Sequence, residues 1–264
     1  MGRCGEDIAT NQVILQRSRV LRPQDLGVLA SIGATPVLVV RRPRVAILVT
    51  GDELLPAGAK PSGFRIVDSN SVMLGALVQR DGGVAMPAAQ LADRREVLLE
   101  ALRTCRADVV LISGGSSVGQ EDHAPRVVAE LGELSVHGVA LRPAAPAGFG
   151  FVDGRPVFLL PGNPVSCLCG YDLFAGPAIR RLGGRSMALP YRRVRLPLAR
   201  KIASAVGRVD YVRVRMQDGQ VEPLATSGAS ILSSTTRADG FVLVPRDSEG
   251  HAAGETVEVF LYDS

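Results

Sequence analysis

Apolar and polar positions change their period twice along the chain. Residues 45–49 (VAILV) form an unbroken apolar run, as does the apolar stretch of 108–112 (DVVLI) and of 157–160 (VFLL). Such runs predict strands buried on both faces. Between them the spacing becomes helical. Val72, Leu74, Leu77 and Val78 recur at helical intervals across 71–80, after the capping candidates Asp68, Ser69 and Asn70. Residues 93–96 (DRRE) read as a capping box before a helix over 97–105. Further helices are expected at 123–131 and from Pro164 toward Arg181. Strands alternating with helices predict an α/β unit over 44–185, a mainly parallel sheet flanked by helices. From residue 186 the period drops to two. Residues 194–196, 211–216, 241–244 and 256–261 alternate apolar with polar, with turns expected at 218–219 and 239–240. That predicts a small C-terminal all-β domain over 186–264. Residues 1–43 are short apolar pieces broken by Gly and Pro and read as a remnant without a core of their own.

Composition narrows the classes. The 264 residues are 46% apolar and 21% charged, which excludes disorder and fibrous repeats. No apolar run reaches ~18 residues, so no membrane-spanning helix is expected, and the opening MGRCGEDIATNQ has no apolar signal core. Cys167 and Cys169 stand too close for an ordinary bridge, and no Cys/His cluster has zinc spacing. A cytoplasmic protein with reduced thiols is the expectation. The net charge is +4, and of 30 basic residues only Lys60 and Lys201 are lysine. Arginine holds oxyanions bidentately and keeps its proton, so an arginine-rich chain suits phosphate-like ligands. Trp is absent and only 7 Phe and 4 Tyr occur. The basic charge is spread along strands without a recognition motif or aromatic platforms, so nucleic-acid binding is not expected.

The informative polar residues follow the predicted strands, where open α/β sheets bind ligands. Thr50-Gly51-Asp52-Glu53 places a carboxylate pair after the first strand, suited to a hydrated Mg²⁺ or a polarised water. Ser113-Gly114-Gly115-Ser116-Ser117-Val118-Gly119 follows the second and runs on to Asp122. Small residues ahead of a helix form an anion cradle. This stretch lacks the Gly-Lys-Ser/Thr ending of a P-loop. Pro161-Gly162-Asn163-Pro164 follows the third strand and leads to Ser166. Each feature alone also serves as an ordinary cap or turn; four polar helix starts on one sheet point to a shared site.

The ordered set TGDEL (50–54), DSNS (68–71), SGGSSVGQED (113–122) and LPGNPVS (160–166), with GEDI (5–8) and GRVDYVR (207–213), resembles the MoeA/gephyrin family of molybdopterin molybdenumtransferases. The resemblance covers nearly the whole chain, as a short form lacking most of the family's N-terminal region. It implies an α/β molybdopterin-binding domain and a β domain. It also implies insertion of molybdenum from molybdate into adenylylated molybdopterin, with release of AMP and a divalent cation such as Mg²⁺. Carried onto this chain, Glu53, Asp52 and Asp122 would handle metal and water. Thr50, Gly51, Ser113, Gly114, Gly115, Ser117 and Gly119 would cradle phosphate or pterin. Asp68, Ser69, Asn70, Pro161, Gly162, Asn163 and Ser166 would hold polar substrate groups, and Arg142, Arg208 and Arg213 the anion. A homodimer is implied, with the β domain of one chain facing the α/β domain of the other. Molybdoenzymes or other proteins of the cofactor pathway are the further partners it suggests.

The pattern departs from the family in three places. The family's Lys-Pro-Gly-Lys-Pro stretch reads Arg142-Pro143-Ala144-Ala145-Pro146, so one lysine becomes arginine and the other alanine. The resemblance begins at GEDI, so the family's lobed N-terminal extension is expected to be missing. The family's Gly-Ser-His element reads Gly228-Ala229-Ser230. Two functions therefore stand side by side: a short molybdenumtransferase, or a catalytically degenerate protein that binds molybdopterin or finished cofactor for delivery, storage or regulation.

Overall fold

In the computed structural model, residues 5–17, 19–115, 123–225 and 228–262 are described. The chain opens with helix α1 (Pro23–Ser31) and strand β1 (Arg44–Thr50), then β2 (Leu54–Leu55), β3 (Ile66–Val67), α2 (Asn70–Arg80), β4 (Val84–Ala85), β5 (Ala89–Leu91), α3 (Arg95–Thr104) and β6 (Val109–Ser113). Next come α4 (His123–Leu131), β7 (Gly132–His137), β8 (Leu141–Arg142), β9 (Gly148–Val152), β10 (Arg155–Leu160), α5 (Pro164–Gly170), a π-helical turn at Tyr171–Ala175, and α6 (Gly176–Leu182). The C-terminal part holds β11 (Arg192–Pro197), β12 (Ile202–Ala203), β13 (Val209–Gln217), β14 (Gln220–Ala225), α7 (Ser233–Thr236), β15 (Gly240–Val244), β16 (Gly250–His251) and β17 (Thr256–Leu261).

The first sheet runs β4-β1-β6-β10-β9-β7, with β5 also on β1. Strands β1, β6 and β10 are mutually parallel, and β9 and β7 extend the sheet antiparallel. Side chains alternate across a strand, so each apolar run feeds two cores. Val45, Ile47, Val49, Val109 and Leu111 meet α2 and the α5–α6 helix on one face. Ala46, Leu48, Val110 and Ile112 meet α3 and α4 on the other. Both faces are covered, which is why these strands read as continuous apolar runs. The antiparallel extension was not foreseen. Its glycines, Gly148 and Gly150, sit where a Cβ would meet Val136 O at 2.5 Å and Glu133 O at 2.1 Å, so packing rather than alternation selects them.

The second sheet runs β11-β17-β15-β13-β14 and encloses Val212, Val214, Val242, Val244, Val257 and Val259. Its remaining member is β8, parallel to β13 although it belongs to the α/β stretch in sequence. The two halves share a further core: Ala144, Val165 and Cys169 pack with Tyr191, Tyr211, Phe241 and Phe260. Three local expectations need correction. The region before residue 44 contains a helix, α1, with Pro23 in its first turn and Asp25 accepting the Arg22 N–H. The N-cap of α3 is Arg94, not Asp93. Gly240 is a strand residue rather than a turn, held by the close approach of Phe260 O to where a Cβ would stand.

Candidate functional site

A cavity of about 600 Å³ opens beyond the carboxyl ends of β1, β6 and β10. Thr50, Gly51 and Glu53 reach it from β1, Ser113, Gly114 and Gly115 from β6, and Pro161, Gly162 and Asn163 from β10. Asp68, Ser69 and Asn70 line it at the start of α2. Twelve-odd residues from four separate sequence motifs thus share one wall, as strand-end loops of a parallel sheet do. Gly51 (φ +150°) lets the Glu53 carboxylate fold back against its Cα; a Cβ there would meet both carboxylate oxygens at 2.8 Å. Gly114 and Gly115 lie against Thr50, and a Cβ on Gly114 would meet Thr50 O at 2.3 Å. The sharp turn after β6 therefore requires glycine at this position.

Hydrogen bonds knit the loops together. Asn70 Nδ2 donates to Ser113 Oγ (2.9 Å) and to Gly162 O (2.8 Å), joining the mouths of α2, β6 and β10. Asp68 Oδ1 accepts the Ser71 N–H at 3.0 Å, so part of its role is capping. The Gly114 N–H donates to Leu160 O at 3.2 Å and is not offered to a ligand. Two buried oxygens on the wall, Thr50 Oγ1 and Asn70 Oδ1, have no hydrogen-bond partner among the described residues. Two further wall residues were not expected. Asp93 lies opposite Glu53's loop, its N–H donating to Asp52 Oδ1 at 3.1 Å. Ser230 comes from the β domain of the same chain, and its hydroxyl donates to Asn163 Oδ1 at 2.8 Å. The sequence pattern marks Asp93 only as a helix cap, and nothing in the strand periodicity marks Ser230.

Other expected site residues lie elsewhere. Ser117, Gly119 and Asp122 fall outside the described residues. Asp52 is exposed beside the wall, and Ser166 is buried inside α5 rather than on the wall. Arg142 pairs with Asp210, which also receives Arg208 Nε at 2.9 Å and the Ser204 hydroxyl at 2.8 Å. Both arginines are thus spent on one buried carboxylate at the β8–β13 junction. Arg213 is fully buried, because the outer face of β13 is covered by α5 and the π turn instead of by water. It does not line the cavity. Among the described residues no Lys, Arg or His does so, and no group of three His, Cys, Asp or Glu converges as a metal centre. The donor set still includes hard carboxylate oxygens on Glu53 and Asp52. Mg²⁺ is commonly held by one or two such groups together with substrate phosphates.

Residues 46–181 match the family described as probable molybdopterin binding domain, and residues 195–262 match the MoeA C-terminal region (domain IV). The chain belongs to the MoeA family. A molybdopterin biosynthesis protein of Methanocaldococcus jannaschii is 37% identical over 99% of this chain and 65% of its own length. Molybdopterin molybdenumtransferase 1 of Mycobacterium tuberculosis is 34% identical over 97% of this chain and 63% of its own length. The crystal structure of the MoeA protein from Pyrococcus horikoshii superposes with a TM-score of 0.83 at 32% identity, covering 98% of this chain and 64% of that one. The chain thus spans just under two thirds of these MoeA relatives.

Within the MoeA fold, the departures from the family pattern have definite places. Ala144 is buried with φ +101°, a backbone setting that favours glycine. Ala145 is exposed next to Pro146, which lines the cavity. The Gly228-Ala229-Ser230 stretch docks onto the third loop, where Ala229 O accepts the Val165 N–H at 3.0 Å.

Proposed function

We propose that the cavity binds adenylylated molybdopterin and that the chain acts in molybdenum cofactor biosynthesis, cleaving the adenylate and placing molybdenum on the dithiolene-bearing pterin. The observation that carries this reading is the convergence of four strand-end and helix-start motifs on one cavity roughly the size of a drug-like ligand site. Glu53, folded against Gly51 at the cavity edge, orients water toward the phosphoanhydride, with Asp52 supporting it; a role for Asp122 rests on the sequence resemblance alone. The bond between the two phosphates breaks as water adds to one phosphorus, and AMP leaves. Glu53 and Asp52 are the residues that would hold Mg²⁺, and the ion would supply neutralisation of charge on the phosphate oxygens. Asn70 holds the three loops in register. Asp93 belongs with these acids on position alone. A homodimer and a cytoplasmic setting complete the proposal; the latter is supported by the free state of Cys105, Cys167 and Cys169 and by the lack, among the described residues, of any helix able to cross a membrane.

A specific observation favours the non-catalytic alternative. Arg142 is paired with Asp210 and Ala145 has no charge, so neither former lysine position gives the wall a free cation. Losing one charged partner in a partly desolvated anion site costs about 1.5–3 kcal/mol. The deciding experiment follows AMP release from adenylylated molybdopterin with molybdate and Mg²⁺. AMP release that falls at least 100-fold in Glu53→Ala, with an unchanged melting temperature, supports the enzyme. Tight binding with no AMP supports a carrier. No binding at all overturns both.

A further inference from the structure

The wall of the cavity is unusually one-sided in hydrogen-bonding character. Among the described residues its charged side chains are the carboxylates of Glu53, Asp68 and Asp93, with no basic group. Both N–H bonds of the Asn70 amide are committed, to Ser113 Oγ and Gly162 O, which fixes the plane of the amide and which end is oxygen. Asn70 Oδ1 is then an oriented acceptor, buried with its residue 5% exposed, and it receives no hydrogen bond among the described residues. Thr50 Oγ1, also on a residue 5% exposed, is in the same condition. A buried polar oxygen without a partner is costly; the Asn70 amide oxygen can only accept and the Thr50 hydroxyl beside it can accept as well as donate, so the pair marks where a ligand supplies donors. A phosphate end brings only acceptors and negative charge, which this part of the wall repels.

We infer that Asn70, with Thr50, is a specificity-determining residue that takes the N–H donor edge of the ligand's ring, the 2-amino group and adjacent ring N–H of a 2-amino-4-oxopyrimidine. This rests on the reading of the cavity as a pterin site and orients the ligand within it, ring edge inward and phosphate toward the mouth. Both oxygens are closed to solvent, so binding includes a small local yielding of the wall. Gly114 and Gly115, which pack on Thr50 without side chains, adjoin Thr50 on the ring-edge side of the wall.

The test titrates the whole chain with pterin and with its 2-desamino analogue by ligand-observed NMR. A site built to hydrogen-bond a group rejects the analogue that lacks it, because its own polar atoms stay unpaired. The wild type is expected to bind pterin at least tenfold more tightly than the analogue. Asn70→Ala should bring that preference below threefold. Thr50→Val, nearly isosteric, should lower it by a smaller factor and keeps the test alive if Asn70→Ala fails to fold. Equal binding of the two rings by the wild type, or a tenfold preference that survives both substitutions, overturns the inference while leaving the pterin site intact. Binding of neither ring removes the pterin reading and the inference together.

Discussion

At the scale of single residues, environment decides which chemistry a side chain can perform. Cys167 stands one turn inside α5 with its sulfur 3.7 Å from Ser113 Oγ, close under the cavity, yet burial pushes its thiol up to about 12. Cys169 is displaced upward by the same cause. Thiolate is the reactive form, so neither cysteine is a nucleophile at neutral pH. Thiol labelling at pH 8 with mapping by mass spectrometry should modify half-buried Cys105 and leave Cys167 and Cys169 untouched until the chain unfolds. Early labelling of Cys167 would mean that the cavity floor opens. Glu53 shows the opposite case. Its side chain is exposed, so its removal should cost folding no more than ~0.5 kcal/mol, which makes its substitution a clean probe of activity.

At the scale of elements, backbone conformation explains where the chain tolerates an unusual residue. Ala144 adopts φ +101° in the segment linking β8 to β9, inside the core shared by the two halves. A non-glycine residue in such a region costs on the order of 1–3 kcal/mol. Ala144→Gly relieves this but makes the unfolded chain more flexible. A net gain of about 1 kcal/mol is expected, and calorimetry should show the melting temperature rising by ~2–4 °C. No change or a fall would show that the methyl group, buried against Val165 and Tyr211's cluster, contributes more by packing than the conformation costs. The helix beginning at Pro164 is an element with a defined irregularity. Its π turn at Tyr171–Ala175 carries Asp172, which is fully buried and accepts hydrogen bonds from Tyr191 (2.8 Å) and Arg80 (2.9 Å). The helix that opens on the cavity is thereby tied both to the end of α2 and to the β domain.

At the scale of the whole molecule, the seam between the halves is structural and uses arginines that composition alone assigns to ligands. Arg213 lies in that seam beside Cys169 and Tyr262, fully buried. Arg213→Ala should destabilise the fold by at least ~2 kcal/mol, because it opens a cavity and strands buried partners. Arg208→Ala, one third exposed on its ion pair with Asp210, should cost ~1 kcal/mol or less. Urea denaturation of the two variants checks the order; equal midpoints would refute a buried structural role for Arg213. Assembly is a separate matter. Val37, Leu38, Val39 and Val40 form a consecutive exposed apolar run, with Leu38 wholly exposed, beside a second groove near α1. Exposed apolar patches of this kind mark association surfaces. Sedimentation velocity at micromolar concentration should show a homodimer that Leu38→Asp dissociates. A dimer indifferent to that change would place the interface elsewhere, and a strict monomer would end the dimer proposal.

The sequence by itself determined the buried parallel strands, the helices at 71–80 and 123–131, the all-β character of the C-terminal part and the motifs that meet at the cavity. The reason is local: apolar period, glycine at forced turns and polar residues at helix starts are written within short windows. What only the tertiary structure decided are relations between distant segments. Pairing of β8 with β13 takes Arg142 away from the cavity and gives it to Asp210. Packing of α5 on β13 converts Arg213 from an expected surface ligand into a core residue. The docking of residues 228–230 brings Ser230 to the third loop, and the Asp52–Asp93 hydrogen bond turns an expected helix cap into part of the site. None of these has a sequence period, because each depends on which face of one element is covered by another far along the chain.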